Sequence, residues 1–147
     1  MKFLILTVFV SLSAMAADPF KFEGHYSVDP VKCKVSASKD FTRATIVSTN
    51  REVLIQLYGE DGAKGLAIPS KNSKEYNESF ESGNPVKYII TKSNCIGRIL
   101  KSSVVYQYGN KKKETVETYR LERDGDKVYY RKETLDNQLI TCELTLL

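Results

Sequence analysis

The stretch FKFEGHYSVDPVKC, residues 20–33, alternates with a period of two. Phe22, Gly24, Tyr26 and Val28 fall on one side, and Lys21, Glu23, His25 and Ser27 on the other. Successive side chains of an extended chain point to opposite faces, so this pattern predicts a strand with one face buried and one in water. The signature recurs to the C-terminus. Short runs rich in Val, Ile, Thr and Tyr cover roughly 20–28, 41–49, 52–58, 64–68, 74–81, 86–93, 98–108, 113–123, 127–134 and 138–146. Val53, Ile55 and Leu57 align in one run, Val104, Tyr106 and Tyr108 in another, and Ile140, Cys142, Leu144 and Leu146 in the last.

The segments between these runs are turn chemistry. Asp124-Gly125 separates ETYRLER from DKVYYRKE, a hairpin signal because both residues tolerate positive φ. Gly109-Asn110, Asp136-Asn137 and Gly83-Asn84-Pro85 play the same part elsewhere. Connections this short join antiparallel neighbours, whereas parallel strands need crossovers of a dozen residues or more. Only residues 29–40 leave room for a helical turn or a lid, and 59–65 is the other loop to watch. The expected class is all-β: one antiparallel sheet curled on itself, with a two-sheet sandwich as the second choice.

The first sixteen residues, MKFLILTVFVSLSAMA, have a positive start at Lys2, an apolar run from Phe3 to Val10, and Ala14 and Ala16 at the small positions of a cleavage site. That is the grammar of a signal peptide over 1–16, followed by a single domain over 17–147 and an exported, periplasmic or secreted destination. The apolar run is too short to span about 30 Å of hydrocarbon, and no second one follows, so no membrane span is expected in the mature chain.

Net charge is +4 over 147 residues, too mild a balance to imply a nucleic-acid partner. The one basic run, Lys111-Lys112-Lys113, reads as a solvated hairpin tip. His25 is the only histidine and alternates to the outer face, which leaves neither a zinc ligand set nor a Ser-His-Asp triad. No phosphate loop or dinucleotide fingerprint is present, and no cofactor is expected. Glu78, Glu81, Glu114 and Glu117 are assigned to polar strand faces. The chain is expected not to be an enzyme.

A Phe-x-Gly-x-Tyr first strand, here Phe22, Gly24 and Tyr26, followed by a meander, resembles the calycins, which include the lipocalins and the intracellular lipid-binding proteins. The resemblance implies a single up-and-down barrel of eight to ten strands, with those three residues at its base. Tyr26 stands where most lipocalins carry Trp, and the end LITCELTLL lacks the Arg-x-Tyr clamp of the intracellular lipid binders. The chain also looks like small exported bacterial barrels with one Cys after the first strand and another in the last. In an even-stranded barrel those strands are neighbours, which points to a Cys33–Cys142 disulfide, with Cys33–Cys95 the rival and Cys95 placed in the turn KSNCIG.

Gly24 lets the strand bend or a neighbour approach, and the Tyr26 hydroxyl needs a partner, with Arg120 or Arg123 available to stack on the ring. The leading expectation is a non-enzymatic exported binding protein that holds a small apolar or amphipathic molecule. Tyr106, Tyr108, Tyr119 and Leu57 are the expected lining. The alternative is a filled barrel that contacts another envelope or extracellular protein through its surface.

Overall fold

The computed structural model describes residues 19–36, 40–76, 80–81, 84–108, 114–134 and 136–147. A 3-10 turn, Pro19–Phe22, leads into β1 (Gly24–Val28), and a second, Pro30–Lys32, follows it with Asp29 as its N-cap. The remaining strands are β2 (Phe41–Ser48), β3 (Glu52–Gly59), β4 (Gly62–Pro69), β5 (Ser73–Tyr76), β6 (Phe80–Glu81), β7 (Asn84–Ile96), β8 (Ile99–Tyr108), β9 (Glu114–Asp124), β10 (Lys127–Glu133) and β11 (Leu139–Leu146). All pair antiparallel in the spatial order β4-β3-β2-β1-β11-β10-β9-β8-β7-β5, with the two-residue β6 set against the start of β7. This is the expected up-and-down meander in one sheet, and not a two-sheet sandwich.

β1 and β11, the ends of the chain, lie side by side, with Tyr26 opposite Leu146 and Val28 opposite Leu144. The hydrogen-bonded ladder does not close, because the edge strands β4 and β5 are unpaired with each other. They are consecutive in sequence, and their junction is tied to β7 by side chains. The Ser93 hydroxyl bonds the Pro69 carbonyl at 2.8 Å, and Asn72 Oδ1 accepts from the Ser93 N–H at 2.7 Å.

The alternation decides the core. Tyr26, Ala44, Ile46, Val53, Ile55, Leu57, Ile68, Leu100, Leu121, Val128, Tyr130, Cys142 and Leu144 share one buried cluster. Each large side chain so buried contributes about 1.5–3 kcal/mol.

Three expectations need correction. Phe22 is fully buried but sits in the 3-10 turn and not on β1. The turn turns it under the sheet, where its carbonyl accepts the Tyr26 hydroxyl at 2.6 Å. Cys95 lies in β7 opposite Leu100 and not in a turn, because the reversal falls two residues later at Gly97, φ +61°. Residues 62–65 belong to β4 and so are not a loop.

The Cys33–Cys142 disulfide is present, across 109 residues. Pairing of β1 with β11 brings the two thiols together, and Lys34 N donates to the Thr141 carbonyl at 2.7 Å beside the bridge. Cys95 takes no part in it.

Candidate functional site

Above the packed half, the inner face becomes polar. On β9 the residues facing inward are Leu121, Tyr119 and Glu117, fixed by pairing with Leu100, Ser102 and Val104 of β8. Lys132 of β10 stands opposite Tyr119. The expectation of a solvated polar strand face for Glu117 is overturned by the register. Glu117 shares the face of Leu121, which is fully buried, and its own side chain is only 18% exposed.

Three partners converge on this carboxylate. Tyr119 donates its hydroxyl to Glu117 Oε2 at 2.6 Å and Tyr106 at 3.4 Å, while Lys132 Nζ lies 2.9 Å from Oε1. Lys132 Nζ also stands 5.2 Å from the centre of the Tyr119 ring, within cation–π range. Desolvation pushes the Glu117 pKa up, but hydrogen bonds from Tyr119, Lys132 and Tyr106 and the Lys132 charge outweigh it and hold it below the usual carboxylate value. Burial, then the bond to Glu117, raises Tyr119 far above the ordinary phenol value. Burial and the Glu117 charge push Tyr130 up to about 12. Tyr119 is therefore a neutral donor at physiological pH, and Glu117 is an ionised acceptor. Val104 opposite Glu117 and Ile140 opposite Lys132 put apolar surface beside this cluster.

The outer face of the same strands forms an open groove of about 1140 Å3. Its lining includes Lys92, Asn94, Lys101, Arg120, Arg131 and Glu133, the alternates of the core-facing residues on β7 to β10. Most of its lining therefore lies on the outer face, although Thr91, Ser93, Ser102 and Tyr119 of the inner-facing set reach it too.

Solved structures similar to this chain include two of note. One is a variant of the fluorescent protein UnaG, at 14% identity over 86% of this chain and 96% of that one, TM-score 0.46. The other is the fatty-acid-binding protein isolated from Manduca sexta, at 12% identity over 84% of this chain and 97% of that one, TM-score 0.39. Neither likeness bears on what this chain binds. No protein-family model and no curated protein sequence matches it.

The expected lining residues are placed as follows. Tyr106 and Tyr119 meet at Glu117 on the inner face, and Tyr119 also belongs to the groove's lining. Leu57 is fully buried within the packed half. Tyr108 ends β8, and its side chain lies outside the described residues, as do those of Glu78, Glu81 and Glu114.

Tyr26 is fully buried; burial pushes its pKa up, and the Arg123 charge partly opposes this. Arg123 does lie near Tyr26, and its guanidinium donates to the Lys21 carbonyl at 2.6 Å. Arg120 points to the opposite face, paired with Glu122 at 2.6 Å. Gly24 holds φ +151°, and a Cβ there would come within 2.9 Å of Leu146 Cδ1. The positive φ is what favours glycine here, since the tip of the Leu146 side chain can move aside.

Sequence reasoning missed Glu117 and Lys132. The signal was present: Glu117 alternates in step with Tyr119 and Leu121, and Lys132 with Val128 and Tyr130. Among the described residues no group of three or more His, Cys, Asp or Glu side chains is placed to hold a metal, and no helix is long and apolar enough to cross a membrane.

Proposed function

We propose that the chain is an exported, non-enzymatic binding protein whose interior holds a small amphipathic molecule. The signal-peptide grammar of residues 1–16 and the disulfide both support an oxidising, extracytoplasmic setting. The observation that carries the reading is the inward-facing cluster of Glu117, Tyr106, Tyr119 and Lys132, set at the edge of an apolar core. A charge pair so largely withdrawn from water is costly to keep and adds little stability over an apolar core. Its retention beside Val104 and Ile140 suits a ligand with a polar end on the cluster and an apolar body along the sheet.

Titration with 1-anilinonaphthalene-8-sulfonate, followed by competition with long-chain carboxylates and alcohols, tests the reading. Saturable one-to-one binding is expected, weakened about tenfold or more by Lys132→Met, the worth of one charge-assisted hydrogen bond. Absence of saturable binding, or affinity indifferent to Lys132→Met and Tyr119→Phe alike, would sink it.

A further inference from the structure

The outer face of β7 to β10 carries an arrangement that folding alone does not call for. Lys101 of β8 stands directly opposite Arg120 of β9, and Arg120 directly opposite Arg131 of β10. Side chains so placed lie about 5 Å apart at Cβ, and like charges in that relation repel. Arg120 and Arg131 each draw on an acid two residues away in their own strand, Glu122 at 2.6 Å and Glu133 at 3.3 Å. Lys101 and the nearby Lys92 have no acid partner among the described residues. All four line the 1140 Å3 groove, where basic residues outnumber the single acid, Glu133. Ser103 and Thr118 bring hydroxyl groups to the same floor.

We propose that this groove binds a small polyol carrying two or more phosphate or sulfate groups. The guanidinium forks of Arg120 and Arg131 match the oxygens of either anion, and ammonium groups add charge without demanding one geometry. The row crosses three neighbouring strands and so extends only about 10 Å. That length suits a compact polyanion. A nucleic acid is instead met by a basic stripe that runs on across the surface. The hydroxyls of Ser103 and Thr118 pair with those of the polyol. The site lies on the face opposite Glu117 and does not depend on the interior reading.

Isothermal titration at low salt with inositol hexakisphosphate and, separately, sucrose octasulfate tests the proposal, with the amide shifts of both complexes mapped by NMR. Saturable binding of at least one probe is expected, with shifts centred on Lys92, Lys101, Arg120 and Arg131. Inositol hexasulfate, which keeps the ring and the number of groups of the first probe and changes only the anion, tells phosphate from sulfate. Lys101→Glu sets an acid opposite Arg120, so it relieves repulsion and keeps the fold. It is expected to weaken binding about tenfold or more, the loss of a charge-assisted contact made repulsive. Lys34→Glu makes the same change of net charge outside the groove and is expected to leave affinity unchanged. Equal weakening by the two variants, no saturable binding of either probe, or tighter Lys101-dependent binding of a short oligonucleotide would overturn the proposal.

Discussion

Glu117 is the residue on which the inner face turns. Its carboxyl is held below the usual value, so the unfolded chain binds its proton more readily than the folded one. The stabilisation is fully present above the unfolded pKa and is lost as pH falls through the folded one. Glu143 behaves alike on the outer face, where hydrogen bonds from Lys127 and Lys32 lower it. A single acid-unfolding curve therefore mixes the two. Urea midpoints for wild type and Glu117→Gln between neutral and acid pH separate them. The gap between the two proteins is expected to be widest at neutral pH and to shrink on acidification. A gap independent of pH would mean that the carboxylate contributes no charge-linked stability. Much of this site was legible in the alternation ETVETYRLER, which sets Glu117 in phase with Tyr119 and Leu121. Acidic side chains on a β surface are ordinarily solvated, and that prior outweighed the phase.

Strand positions were nearly all readable, because half-buried strands must alternate and their turns need Gly, Asn or Asp. The exceptions are instructive. Phe22 keeps the phase of β1 yet leaves it for a 3-10 turn, and Pro19 at the start of that turn is the residue that signals it. KSNCIG resembled a turn, but β7 runs on to Ile96, because Gly97 alone supplies the positive φ of the reversal. At this scale the disulfide matters most, since it fastens the exit of β1 to β11. A cross-link spanning 109 residues removes about 4–5 kcal/mol of chain entropy from the unfolded state. The Cys33→Ser, Cys142→Ser double variant is expected to lose stability of that order in urea. A loss below about 1 kcal/mol would show that pairing of β1 with β11 holds the ends without it.

Across the whole molecule, burial is lopsided. β1, β2, β3 and the adjoining parts of β10 and β11 enclose the packed cluster, while the first four residues of β4 are exposed. Between β4 and β5 the ladder is interrupted and held chiefly by Ser93. Local opening costs least where few apolar contacts must break. Amide exchange is expected to be slowest in β1, β2, β3 and β11, and fastest in β4 and β5 flanking the gap. Uniform protection around the sheet would contradict this division. The same division sets the two proposed sites: a packed end leaves the interior only its polar end for a ligand, and the outer faces of β7 to β10 form the groove.

The chain's own letters determined that it is built of antiparallel strands, where most of them begin and end, and which residues of each share a face. Those are local properties, carried by period-two burial and by turn residues. Register was decided only in the folded molecule. It brings Lys132 to Glu117, aligns Lys101 with Arg120 and Arg131, and selects Cys142 over Cys95 as the partner of Cys33. Register relates segments distant in sequence, and it follows from turn geometry and packing summed over the whole sheet, so no single run of residues contains it.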